Sequence, residues 1–346
     1  MSKYNEWVDS ILPAHKRLTD SAITIIRNLL NNNGIEILSV SGRTKDKDSL
    51  LEKITRKGYK KPSEQMTDIS GVRIIVYLES DIKRVCNIIE QAFNIDKKNS
   101  LNQDDRLSIN QIGYRSVHYV CDLGDVRTQL PEFLDLGGLK FEVQVRTVLQ
   151  HAWAELAHDR NYKFAGKLPP EIERNLYLYA GMLEIADKGF SQLSMQIDKY
   201  IKDVHEKNEE GNLDYILNTL SLKEFVENWA YKNDLEIEEI AFKVDISDLV
   251  SELEQFGITT AEQLNKIIPP NYAELSKEHH YTSTIFGLVR DWMLITDWRK
   301  FIHQVHFNWV MSPEHIYDNY FDADELKEFF EAFPCEQNDG DLDDLN

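Results

Sequence analysis

The sequence predicts an α+β protein in which a mixed β-sheet flanked by helices is followed by a smaller, mostly helical, acidic domain. Three observations carry this. Segments with a period of two alternate with segments of helical period up to about residue 147. Beyond Pro169-Pro170 the patterns are almost all helical. Charge divides in the same way: residues 1–200 hold 28 Lys+Arg and 27 Asp+Glu, a net of +1, whereas residues 201–346 hold 11 and 32, a net of −21. The boundaries that follow are 1–205 for the sheet domain, 206–334 for the helical acidic domain and 335–346 for an acidic tail expected to be disordered.

Element by element, residues 14–31 read as an amphipathic helix, with Leu18, Ala22, Ile25, Ile26 and Leu29 on one stripe and Gly34 beyond its end. A short strand at 36–41 precedes a helix at 47–57 closed by Gly58, a residue suited to a left-handed cap. Residues 71–78 are strongly β-prone, and 81–93 carry Val85, Ile88, Ile89 and Phe93 at helical spacing. A polar loop at 94–112 leads to a strand at 115–122. A helix near 126–134, a strand at 139–146, a helix at 147–158 and a long helix from about 170 to 207 complete the first domain. The second reads as helices at 221–232, 246–256, 260–268, 284–310 and 323–333.

Cys86, Cys121 and Cys335 are far apart, odd in number and without a CxxC pair, which argues against a disulfide framework or a structural zinc site and fits a reducing cytoplasm. No window approaches the ~20 apolar residues of a membrane span, so no membrane partner is expected.

In Phe141-Glu142-Val143-Gln144-Val145-Arg146-Thr147, three apolar residues alternate with an acid, an amide and a guanidinium. In a strand the polar set lines one face. Residues 41–61 hold eight basic residues and three acids. Arg43 and Lys45 share a side of an extended segment, and Ser49 and Lys53 share a helix face, so cations and a hydroxyl could converge on a triphosphate. Read alone, this stretch also describes a solvated basic helix. Asp68 stands just before a β-run that Gly71 would let the chain enter tightly, and a carboxylate there suits Mg²⁺. Arg73 lies among Ile74, Ile75 and Val76, so its charge needs a partner or a ligand. Tyr114, after Gly113 at the end of the polar loop, could stack on a base.

These segments, in order, resemble the synthetase domain of the RelA/SpoT family of alarmone, or (p)ppGpp, synthetases. The motifs are Gly42-Arg43-Thr44-Lys45 with Ser49 and Lys53, Asp68-Ile69-Ser70-Gly71-Val72-Arg73, Gly113-Tyr114-Arg115-Ser116-Val117-His118, Glu142 through Thr147, and His151 through His158. The resemblance implies a nucleotidyltransferase-like core, ATP as donor and Mg²⁺ as cofactor. It places Arg43 and Arg73 on adenine, Lys45, Ser49 and Lys53 on the triphosphate, and Asp68 and Glu142 on the metal. Glu142 would also activate the attacking hydroxyl. Tyr114, His118, Gln144, Arg146 and His151 fall on the acceptor-nucleotide side. The acceptor implied is GDP or GTP. The family's toxic branch, which modifies the 3′ end of tRNA or adenine nucleotides, stays open because the loop before Gly113 has no lysine at 108–112. For residues 206–334 the expected roles are homo-oligomerisation or binding of a protein partner. A sharper expectation is that their acidic surface restrains ATP binding by docking on the basic 41–61 stretch.

Overall fold

Leu18, Ala22, Ile26 and Leu30 recur every four residues along α1 (Ser2–Asn32), and all are fully buried, so the helix lays one stripe on the sheet. It starts well before residue 14 because Val8 in its early turns is also buried, in a satellite cluster with Leu50, Ile54, Met66 and Ile69. In this computed structural model residues 2–102, 116–163, 169–238, 245–311 and 315–333 are described. The chain divides into two compact units, Met1–Met195 and Gln196–Asn346.

In the first unit α1 is followed by β1 (Ile37–Thr44), α2 (Lys47–Lys57), α3 (Pro62–Gln65), β2 (Ser70–Val76), α4 (Glu79–Ala92), β3 (Asn94–Ile95), β4 (Leu101–Asn102), β5 (Val117–Asp122), α5 (Asp125–Thr128), β6 (Phe141–Thr147) and α6 (Val148–Lys163), then α7 (Pro170–Glu209), which runs on into the second. The sheet order is β1-β2-β6-β5-β3, with β4 also on β5. Among the described strands only the β2–β6 pairing is parallel, so the sheet is mixed, as expected. Val72, Ile74, Val76, Phe141, Val143 and Val145 form its buried face, with α1 and α4 packed there.

The differences from the sequence reading have local causes. β1 extends to Thr44 because backbone pairing with Ser70–Arg73 holds a polar Ser-Gly-Arg-Thr stretch that has no apolar alternation. β3 and β4 are two residues each, too short to show a period. The segment expected as one helix at 126–134 splits into α5 and a 3₁₀ turn at Pro131–Leu136, since Pro131 has no N–H to continue the first helix. α2 matches closely: Asp46 caps it by accepting from the Ser49 N–H, and Gly58 closes it at φ 63°. Thr147 and Gln150 bond each other's backbone N–H at 3.1 Å, a capping box that turns β6 directly into α6.

A buried polar knot fastens α1 to the ends of β1 and β2. His15 lies 5% exposed, with Nδ1 2.8 Å from Ser70 Oγ. Ser70 donates to the His15 carbonyl at 3.0 Å, so the ring nitrogen is the donor to Ser70. Thr19 also donates to that carbonyl, and Thr44 lies 2.8 Å from Thr19 Oγ1. Beside the knot a Cβ on Gly42 would stand 2.9 Å from both Gly71 O and Ile23 Cδ1, so β1 and α1 approach closely only because residue 42 has no side chain.

The second unit holds α8 (Thr219–Lys232), α9 (Ile246–Gln255), α10 (Ala261–Ile267), α11 (Tyr272–Glu278), α12 (Ile285–Gln304) and α13 (Ala323–Ala332), following the last turns of α7. α12 stops at Gln304 instead of reaching 310, and Phe307 and Trp309 fold back on Phe301 and Phe333. α11, seven residues long, escaped the periodicity. Near the fully buried Trp292, the carboxylate of Asp291 accepts from Tyr272, Tyr281 and Tyr317 at 2.6, 2.8 and 2.5 Å. The tail expected at 335–346 lies outside the described residues, as does Cys335. Among the described residues no helix is long and apolar enough to cross a membrane.

Two stability measurements follow. Gly42→Ala should cost about 1–3 kcal/mol by overpacking, seen as a lower midpoint in chemical denaturation. Burial holds the His15 imidazole down to about 4 from 6.5. The unfolded chain then binds the proton first, so stability is full above pH 6.5 and declines as the pH falls toward 4. That decline amounts to about 3 kcal/mol, and it should be missing from the pH profile of His15→Gln.

Candidate active site

Sheet register builds the site. On the face opposite the apolar core, Arg43 of β1 pairs with Gly71 of β2, and Gly71 pairs with Glu142 of β6. The adjacent row runs Ser41, Arg73, Gln144 and His118. Gly71 was expected to ease a tight entry into its strand. It is instead absent from the positive-φ glycines, and its contribution is to leave a gap between Arg43 and Glu142. A cleft of about 530 Å³ opens there, lined by Arg43, Lys45, Asp68, Arg73, Glu142 and Arg146 among others. A smaller cavity of about 170 Å³ is bordered by Lys53, Tyr59, Thr67, Asn99 and His118, and Asp68 and Glu142 border it as well. The two carboxylates therefore share both spaces.

Asp68 is clamped. Lys45 Nζ lies 2.6 Å from its Oδ2, and Lys53 Nζ binds the same oxygen. Burial pushes the Asp68 carboxyl up, but hydrogen bonds from Lys45 and Lys53 outweigh it and hold the group below the ordinary aspartate value. Among the described residues its Oδ1 is buried with no hydrogen-bond partner. An orphaned carboxylate oxygen beside a second carboxylate suits a hard cation, so Asp68 and Glu142 fit Mg²⁺. No group of three or more His, Cys, Asp or Glu gathers for a metal among the described residues.

Glu142 Oε1 accepts from Gln144 Nε2 and His118 Nδ1, both at 2.8 Å. Burial raises the Glu142 carboxyl, and these two hydrogen bonds more than reverse that. Arg73 finds its partner in Glu155 of α6, at 2.8 Å. His151 Nδ1 lies 3.6 Å from the same Glu155, and burial, then the Arg73 charge, press its imidazole below the ordinary value. Arg146 is 8% exposed on the cleft wall. Ser49 borders neither cavity, and its hydroxyl donates to the capping Asp46 at 2.8 Å. Tyr114 lies outside the described residues, as do Gly113 and Arg115.

Sequence reasoning did not single out Glu155, Tyr59, Thr67 or Asn99. Glu155 had a usable signal, since it stands one helical turn from His151. Asn99 reaches the cavity only through the loop that β3 and β4 fold, which has no sequence period.

Residues 42–167 match the family described as the region found in RelA / SpoT proteins. The GTP pyrophosphokinase YwaC of Bacillus subtilis is 30% identical over 162 residues, which cover 45% of this chain and 73% of YwaC. The chain belongs to the RelA/SpoT family. A second member, the GTP pyrophosphokinase YjbM of the same organism, is also 30% identical over 162 residues, 46% of this chain and 73% of its own. Among solved structures, small alarmone synthetase 1 from Bacillus subtilis is similar at 22% identity and a TM-score of 0.46, over 56% of this chain and 99% of that one. Apart from Ser41, the described cleft residues named above lie within residues 42–167.

Removing one cation from Asp68 should uncover its affinity for metal. Lys53→Ala should bind Mn²⁺ several-fold more tightly than the wild type in nucleotide-free protein, measured by electron paramagnetic resonance, and adding Asp68→Asn should cancel the gain. Unchanged affinity would place the ion elsewhere.

Proposed function

We propose that this protein transfers the β,γ-pyrophosphate of ATP to the 3′-hydroxyl of GDP or GTP, releasing AMP and an alarmone of the (p)ppGpp type. Family membership and two relatives named GTP pyrophosphokinases support the reaction class. The observation that carries the reading is the pair Asp68 and Glu142 bordering the same two cavities, ringed by Arg43, Lys45, Lys53 and Arg73.

Pyrophosphoryl transfer depends on alignment and charge neutralisation more than on covalent help. In this reading Arg43 and Arg73 flank the adenine, while Lys45 and Lys53 exchange Asp68 for the triphosphate. Mg²⁺, when bound by Asp68 and Glu142, supplies neutralisation of phosphate charge. Glu142, ionised at neutral pH, accepts the proton of the attacking 3′-hydroxyl as that oxygen bonds the β-phosphorus and AMP departs. Tyr114 stacks on the acceptor base.

Labelled ATP incubated separately with GDP, GTP, ATP or tRNA, with the products resolved, tests the assignment. The expected outcome is AMP release with a guanine nucleotide. A product on tRNA or adenine nucleotide alone would replace the acceptor. Glu142→Gln should lower turnover by roughly 10²–10⁴-fold while calorimetry finds affinity for a non-hydrolysable ATP analogue within a few-fold of wild type. Retained turnover would remove Glu142 from the base role.

A further inference from the structure

Glu142 is the end of a chain of donors. Ser116, 3% exposed at the head of β5, places Oγ 2.6 Å from His118 Nε2, and His118 Nδ1 lies 2.8 Å from Glu142 Oε1. An ionised carboxylate can only accept, so Nδ1 carries the hydrogen. The Nε2 of a neutral ring is then an acceptor, and the Ser116 hydroxyl donates its hydrogen bond to it. Gln144 donates to the same Oε1 from its own strand, also at 2.8 Å. Among the described residues no hydrogen bond reaches Oε2.

The sheet makes this geometry rather than chance rotamers. His118 is paired with Gln144 across β5 and β6, and Val120 with Glu142, so His118 and Glu142 are diagonal neighbours on one face. A carboxylate with one oxygen saturated by two donors is held against rotation, and its other oxygen keeps its lone pairs free.

We propose that His118, oriented by Ser116, is a positioning residue for Glu142 and not a ligand of the acceptor nucleotide: with Gln144 it occupies Oε1 and leaves Oε2 open to the metal and the reacting hydroxyl. This rests on the reading of Glu142 as the proton acceptor. A positioning role acts on the transition state, so its loss lowers kcat and leaves acceptor affinity alone, whereas a nucleotide ligand would show in KM.

In the full chain, with GDP as acceptor, His118→Ala should lower kcat about 10–100-fold with KM for GDP unchanged to about twofold. His118→Asn, whose amide donates from near the place of Nδ1–H, should recover most of the loss, and Ser116→Ala should fall between wild type and His118→Ala. A raised KM for GDP with kcat retained at saturation would overturn the proposal, as would equal losses in His118→Ala and His118→Asn. A second measurement does not need turnover: ¹⁵N NMR of the imidazoles in nucleotide-free protein, with the His118 signals assigned from His118→Asn. The expected state is the Nδ1–H tautomer, with its signals displaced by Glu142→Gln. The Nε2–H tautomer would overturn the proposal. Should wild type release no AMP with any acceptor, the proposed reaction fails, and the tautomer alone decides whether His118 holds Glu142.

Discussion

Seven successive parallel pairs, Ser70 with Phe141 through Val76 with Thr147, hold β2 against β6, and the placing of the charged groups around the cleft follows from that register. Side chains alternate along both strands, so the same pairing that buries Val72, Ile74, Val143 and Val145 turns Arg73, Glu142 and Gln144 to the other side. A slip of one residue would carry Glu142 and Gln144 into the apolar layer under α1 and α4, at the cost of burying a charge. The hydrophobic face thus enforces the polar one. β1 adds Arg43 beside Gly71, β5 adds His118 beside Gln144, and α6 leaves β6 at once through the Thr147 cap to bring Glu155 to Arg73.

Charges at the site are partnered within the protein. Asp68 has two lysines, Glu142 has a histidine and an amide, and Arg73 has a glutamate. Half-buried charges without partners would be costly, and these pairings join Asp68, Glu142 and Arg73 in a partnered network. Such a network can exchange partners at little net cost, because a phosphate or a cation entering it replaces one ion pair by another. Among the described residues, Asp68 Oδ1 is buried and without a hydrogen-bond partner.

The second unit solves a different problem. Its acidic excess is accommodated largely at the surface, while its interior is aromatic, with Trp292, Tyr272, Phe301 and Phe329 fully buried. Asp291, in that interior, is tolerated because three tyrosine hydroxyls surround its carboxylate. Burial still pushes its carboxyl above the ordinary value, with the tyrosines pulling the other way. This cluster ties α11, α12 and the turn at His315–Asn319 to one another.

Local periodicity and local chemistry determined much of this protein by themselves. The alternation in β6, the Gly58 end of α2 and the stripe of α1 could be read because each depends on residues a few positions apart. Of the residues in the ordered motifs, Arg43, Lys45, Asp68, Arg73, Glu142, Gln144 and Arg146 border one cleft. Tertiary structure alone decided the partners. That Lys45 and Lys53 meet on one oxygen of Asp68 and that His118 faces Glu142 are outcomes of strand register and rotamer choice. Sequence spacing does not encode these. β1 past residue 41, β3, β4 and α11 were hidden for the same reason: pairing and packing with distant segments hold them in place, and their own residues carry no period that announces them.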